Sequence, residues 1–380
     1  MLSRVTVRGF RSARDVTFSP GGLCALVGAA NTGKSNLLLA VRALLDAGAP
    51  PFAPHDLAAG SERIEIEGLL EDGRRVSLDD RRGVPPVLFF PSTLRSTLLL
   101  PPRTRQEEFL HPAVGHIERA LTEEPAPRLA LIRCVERWCE LGLDGLVLLI
   151  EEPEVYLRPQ EQRYFYRLLH KLSSSGNQVV YSTHSPSFLN VARLDELALV
   201  EYGRRTGTRV VQPKPMTLDE DFRVLTEFDA ERGELFLARA AILVEGLTEK
   251  FALPFVFAAL GRDADREAIS IVECGGKSNI PLFASICKAT GVPFVAVHDR
   301  DAELGHEPIL GEQVVNARIA KVAGQKRTVV LVPDFEGVAG LRGSSRKPER
   351  AWRRFGSLTA EDVPEPLARA VRLAVGIARD

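Results

Sequence analysis

Four carboxylates in the second half of the chain are spaced as metal ligands are. Glu245 follows the apolar run Ile242, Leu243, Val244, and Glu249 comes one helical turn later. Asp299 and Asp301 follow a second apolar run, Val295 to Val297, and Glu336 follows a third, Val329 to Val332. An acid at a strand end is costly to bury unless something cationic compensates. Four together repel, so their solvation and their use both point to a divalent ion. Hard oxygen donors suit Mg2+ or Mn2+ rather than zinc. Such a centre activates water and stabilises the leaving oxygen of a phosphodiester. The plain alternative is a set of helix-capping acids, since Asp and Glu favour first turns. Their recurrence on successive strands argues against it.

The first half carries a different chemistry. Gly28-x-x-x-x-Gly33-Lys34-Ser35 joins a buried strand to a helix start, the complete phosphate-binding loop pattern, with Asn31 inside it. The glycines let backbone N–H groups close around phosphate, Lys34 reaches the β- and γ-phosphates, and Ser35 ligates magnesium. Leu146 to Ile150 then form an apolar strand ending in Glu151 and Glu152. In an ATPase that places the first acid near magnesium and the second beside the attacking water. Glu151 stands where aspartate is usual, one methylene longer, so its magnesium contact is expected to run through water. A further buried strand, Gln178 to Thr183, ends in His184.

The elements that must position these residues read as α/β throughout. Residues 1–202 form the nucleotide-binding domain, opening on Met1 to Phe10, an alternating strand expected at the edge of a sheet. Residues 203–239 are polar and rich in turns, then regain helical spacing, and read as a linker with a connecting helix. Residues 240–380 repeat strand–helix units, which predicts a parallel sheet with its acids gathered at the C-terminal edge. Gly275-Gly276-Lys277 reads as a turn, phosphate-facing or plain. Residues 342–354 hold six basic side chains against one acid, a solvated helix face or a footprint for a DNA backbone.

Composition sets the outer bounds. The chain has 380 residues and a formal net charge of −1, so no global field recruits a polyanion. Its apolar runs are far shorter than the roughly 18 residues of a membrane span, and no membrane partner is expected. Five scattered cysteines without a paired motif argue for reduced thiols in the cytoplasm and against structural zinc.

The order of the phosphate loop, the Glu151–Glu152 strand, Glu-Pro-Glu-x-x-Leu and Ser-Thr-His-Ser-Pro resembles the ABC-type ATPases, in their SMC/RecF-like branch. By that resemblance His184 senses the γ-phosphate, and Glu154 to Pro159 form a loop at a homodimer interface. The signature segment that caps the partner's nucleotide is not legible in residues 121–138, so ATP binding is expected with slow turnover. Leu172 to Gln178 tempts as a substitute but reads as a helix-terminating turn. Glu-x-x-x-Glu followed by Asp-x-Asp resembles the Toprim domain. Together the two halves resemble the OLD (overcoming lysogenisation defect) family of ATPase–Toprim nucleases. The resemblance implies a P-loop ABC-type ATPase domain followed by a Rossmann-like Toprim domain. It implies Glu245, Glu249, Asp299 and Asp301 as metal ligands, with Glu336 a further candidate, and Lys347 stabilising the transition state. It also implies DNA as substrate, ATP and Mg2+ or Mn2+ as cofactors, and a helicase or other anti-phage or repair component as a partner. The alternative is an ATP-gated DNA-binding protein whose Toprim half is only a scaffold.

Overall fold

The computed structural model describes residues 1–92, 129–214, 230–301, 310–341 and 347–379. The chain divides into two compact units, Met1–Gly233 and Glu234–Asp380.

The first unit has two sheets. In the antiparallel sheet β1 (Leu2–Phe10) pairs with β2 (Ala13–Phe18), and the order closes with β4 (Glu65–Leu70) and β5 (Arg75–Ser77) as β2-β1-β4-β5. The opening strand is therefore interior and not at an edge. Its alternation reflects one face turned to the core, with Leu2, Val5 and Val7 fully buried. The second sheet runs β10-β9-β3-β8-β7-β6. Its members are β3 (Leu23–Val27), β6 (Val87–Phe90), β7 (Val147–Glu151), β8 (Gln178–Thr183), β9 (Leu197–Gly203) and β10 (Gly207–Val211). All pairs are parallel except β9 with β10. β3 and β8 are buried along their whole length, as strands covered on both faces must be. Helix α1 (Lys34–Leu45) touches strands of both sheets and buries Leu37, Leu38, Val41 and Leu44 in their shared core. Gln178 also ties the sheets: its side chain accepts from Leu2 N–H at 3.0 Å and donates to Leu2 O at 2.8 Å.

Helices α2 (Ala130–Leu141) and α3 (Pro159–Ser173) also belong to this unit. The turn after α3, with Gly176 at φ 83°, is the helix stop its sequence suggested. The expected linker begins differently: β9 runs to Gly203, and residues 207–211 are a strand of the ATPase sheet. Charged turn residues hid strand β10, whose only buried residues are Gly207 and Thr208. Of the expected connecting helix, the described residues show an α-helical turn, Ala230–Gly233, and a 3-10 turn, Glu234–Leu237; residues 215–229 lie outside the described residues.

The second unit is a four-stranded parallel sheet in the order β12-β11-β13-β14. Its elements are β11 (Ala240–Val244), α4 (Leu247–Ala259), β12 (Ile269–Glu273), α5 (Ile280–Thr290), β13 (Phe294–Asp299), α6 (Leu310–Ala323) and β14 (Thr328–Leu331). After these come α7 (Phe335–Ala339), α8 (Lys347–Phe355) and α9 (Glu365–Arg379). Ile242, Val244, Val295, Val297, Val329 and Leu331 pack with α4, α7, α8 and α9 in one core. Alternate residues of β11 and β13 turn to the opposite face, where α5 lies against both strands. No described helix is long and apolar enough to cross a membrane.

Candidate functional site

Each unit gathers polar groups at the C-terminal ends of its parallel strands. In the first, the phosphate loop leaves β3 at Gly28 and enters α1 at Lys34. Both glycines are required. A Cβ on Gly28 would stand 2.1 Å from Val200 O, and one on Gly33, at φ 106°, would stand 2.2 Å from Thr208 Oγ1. Asn31 is left-handed at φ 63°, a conformation Asn tolerates better than most residues. Lys34 folds back on its own loop, donating to Gly28 O and Ala29 O, both at 2.8 Å. Burial pulls its ammonium down to about 8, against the attraction of Glu152 and Glu154. Ser35 is exposed in the first turn of α1.

Glu151 closes β7 and accepts from Ser92 N–H at 3.3 Å. Glu152 is left-handed at φ 46°, a strained conformation, and its N–H donates to Ser182 O at 2.9 Å. His184 Nε2 lies 3.9 Å from Glu152 Oε1, longer than a hydrogen bond. Burial and the charge of Lys34 hold the imidazole below its ordinary pKa. Glu154 organises this corner: one oxygen accepts His184 N–H at 2.6 Å and the other Thr183 Oγ1 at 3.0 Å. Burial raises its carboxyl above the ordinary range. The sequence reading placed Glu154 only in an interface loop; the Glu-Pro-Glu spacing was the available sign of its tie to the β8 end. Residues 121–128 of the segment searched for a signature motif lie outside the described residues, and 130–138 are helix α2.

In the second unit Glu245 follows β11, Glu249 lies in the first turn of α4, and Asp299 ends β13. Glu245 Oε1 accepts Asp299 N–H at 2.6 Å, and Asp299 Oδ1 accepts Phe335 N–H at 2.8 Å. These bonds fix the rotation of both carboxyl groups and tie β11, β13 and α7 together. Burial, then the repulsion of Glu245 and Asp301, pushes Asp299 up to about 8. Burial is also the main reason that Glu245 and Glu249 rise to about 7. Repulsion from Glu336, in the first turn of α7, adds to the rise of both Glu249 and Asp299. The neighbouring Asp334 caps α7, accepting Gly337 N–H at 2.7 Å.

The acids thus lie around one sheet edge as the spacing suggested. Among the described residues, no three His, Cys, Asp or Glu side chains close on a common point that would hold an ion. The donor set nonetheless fits a divalent cation: all oxygens, raised mainly by burial and further by mutual repulsion, both of which such an ion would offset. Asp301, at φ 53°, is paired instead with Lys277, whose Nζ is 2.9 Å from Oδ2. Sequence reasoning missed Lys277, taking Gly275-Gly276-Lys277 for a turn; a lysine after two glycines at a strand end was the one visible sign. Lys347 begins α8, and its side chain lies outside the described residues.

Comparison with known proteins agrees with this division. Residues 236–301 match the family described as overcoming lysogenization defect protein-like, TOPRIM domain, and residues 128–189 match an AAA ATPase domain. The OLD nuclease of Thermus scotoductus is 36% identical over 260 residues, covering 62% of this chain and 49% of that protein. The Old nuclease of Escherichia phage P2 is 28% identical over 162 residues, 41% of this chain and 28% of that protein. The chain therefore spans about half or less of the curated relatives it matches. The solved C-terminal region of the Burkholderia pseudomallei OLD protein aligns with a TM-score of 0.32 at 17% identity, covering 37% of this chain and 98% of that one.

Proposed function

We propose that this chain, an ATPase–Toprim relative of the OLD nucleases, is an ATP-regulated DNA endonuclease dependent on Mg2+ or Mn2+. The observation that carries the reading is the set Glu245, Glu249 and Asp299, three acids raised to between about 7 and 8 on one parallel-sheet edge. Acids so destabilised as anions favour a cation, and they lie within or beside the segment that matches a Toprim domain. Glu245, Glu249, Asp299 and Asp301 would hold divalent ions, with Glu336 supporting. Bound there, the ions supply an activated water and a counter-charge for the leaving oxygen. The chain's own contribution is orientation. The Asp299 and Phe335 N–H groups hold Glu245 and Asp299 in set orientations, and the remaining acids would close toward them around the ion. Lys347 would face the scissile phosphate, and the basic run 342–354 would carry the DNA backbone.

In the first unit Lys34, Ser35 and the loop amides would bind ATP with magnesium near Glu151, Glu152 would orient water, and His184 would meet the γ-phosphate. A homodimer through this unit, a helicase or other defence or repair partner, and a cytoplasmic location belong to the same proposal. A second reading, an ATP-gated DNA-binding protein with a scaffold Toprim, draws on the Lys277 pair that already neutralises Asp301.

Nicking of supercoiled plasmid with Mg2+ or Mn2+, beside calorimetric Mn2+ binding, decides between them. The nuclease reading expects cleavage that Asp299→Asn and Lys347→Ala both abolish, with metal affinity kept only in the lysine variant. Absence of nicking and of Mn2+ binding in the unaltered protein would defeat it.

A further inference from the structure

Lys277 is 8% exposed, an unusual burial for a lysine, and it joins three segments of the Toprim unit. It sits in the turn after β12, donates to Asp301 Oδ2 beyond the end of β13 at 2.9 Å, and lies 2.9 Å from Glu312 Oε2 in the first turn of α6. Its charge also reaches Glu245. The two acids that hold it differ in kind. Asp301 belongs to the candidate ligand set at the sheet edge, whereas Glu312 lies outside it.

A divalent ion that takes the Asp301 carboxylate removes one partner of a buried ammonium. An ammonium stranded in that position would oppose the ion directly, because both are cations drawn to the same acids. Glu312 removes the conflict, because the lysine already contacts it and needs no new partner. The two N–O distances are equal, but only the Asp301 contact has hydrogen-bond geometry, so the lysine would turn slightly to bond Glu312 alone.

We propose that Lys277 is a positioning residue exchanged between two acids: it pairs with Asp301 while that carboxylate is without metal, and stays on Glu312 when Asp301 turns to an ion. The proposal rests on the metal-binding reading of the cluster and adds a built-in competitor to it.

Calorimetric Mn2+ binding to the full chain tests it with three variants. Lys277→Met removes the competing charge and should tighten Mn2+ binding about tenfold, the effect of one unit charge near a divalent ion even under solvent-like screening. Glu312→Gln leaves the ammonium only Asp301 and should weaken binding by about the same factor. The double variant should follow Lys277→Met to within about threefold, because Glu312 then has nothing to hold. Two independent charges would also shift the single variants oppositely, but would bring the double variant back to the unaltered affinity; its following Lys277→Met is the signature of exchange, and a return to the unaltered affinity overturns it. If both weaken binding, or neither changes it while the unaltered protein binds Mn2+, this inference fails and the metal reading survives. If the unaltered protein binds no Mn2+, both fail. Thermal melts check folding, and Lys277→Gln, which keeps a polar stem, takes the place of Lys277→Met if that variant does not fold.

Discussion

Asparagine at position 299 should stabilise the metal-free protein, by an amount that grows as pH rises from about 4 to 8. Asp299 ordinarily titrates near 3.8 and is pushed here to about 8. The folded protein thus holds this proton more tightly than the unfolded chain does. Stability present below the unfolded pKa is lost as pH rises toward 8, and the loss is complete above it. At ~1.4 kcal/mol per pH unit, ionising Asp299 in place costs at most ~6 kcal/mol. The proton affinity is shared with Glu245 and Glu249 and partly screened by solvent, which reduces the expected figure to ~2 kcal/mol. Asn is the clean probe because its Oδ1 can still accept Phe335 N–H, the 2.8 Å bond at the start of α7. Alanine would strand that donor at a cost of ~1–3 kcal/mol and mask the gain. Unfolding in EDTA should show the two proteins closely matched near pH 4, below which neither side chain is charged, and Asp299→Asn more stable by ~2 kcal/mol at pH 8.5, a Tm difference of about 5 °C. Added Mn2+ should then stabilise the unaltered protein and not the variant. Parallel pH profiles, or a variant weaker at pH 8.5, would refute the argument that repulsion at this edge is what a cation offsets.

Three further outcomes concern the nucleotide site. Lys34→Ala should weaken ATP binding at least ~10-fold, or ~1.4 kcal/mol, by calorimetry; unchanged affinity would remove the loop from the site. Glu152→Gln should lower a turnover already below about one per second while leaving ATP affinity intact; rapid turnover in the unaltered protein would show that a signature segment was overlooked. Gly28→Ala should destabilise the first unit by about 3 kcal/mol or prevent its folding, since the added Cβ would meet Val200 O at 2.1 Å; a melt like that of the unaltered protein would contradict the packing.

Sequence patterns that depend on neighbours along the chain were legible, and those that depend on neighbours in space were not. The phosphate loop and the strand–acid units were visible because a parallel strand buried on both faces writes a continuous apolar run that ends where the loop begins. The parallel sheet carrying Glu245 and Asp299 followed directly. The position of β1 inside its sheet did not, because pairing on one side or both leaves the same alternation. β10 was lost for a similar reason: two buried residues, Gly207 and Thr208, leave no apolar run to read. Lys277 and Glu154 act through partners 24 and 30 residues away, separations with no periodic trace.

Strand β10 carries one more consequence, in terms of force. Among the described residues it is the last strand of the first unit. Thr208 on this strand donates to Thr32 O of the phosphate loop at 2.7 Å. A pull from the C-terminal side would first meet Gln212, whose side chain bonds Ser19 N–H and O, both at 2.7 Å, and would then open the antiparallel hairpin from Val211, pair by pair. Val211↔Leu199, Val210↔Val200 and Arg209↔Glu201 would part before the pair holding Thr208, which lies beside the turn. Tension arriving along the chain is therefore spent on the Gln212 bonds and three weak pairs before it can disturb the grip on the nucleotide loop.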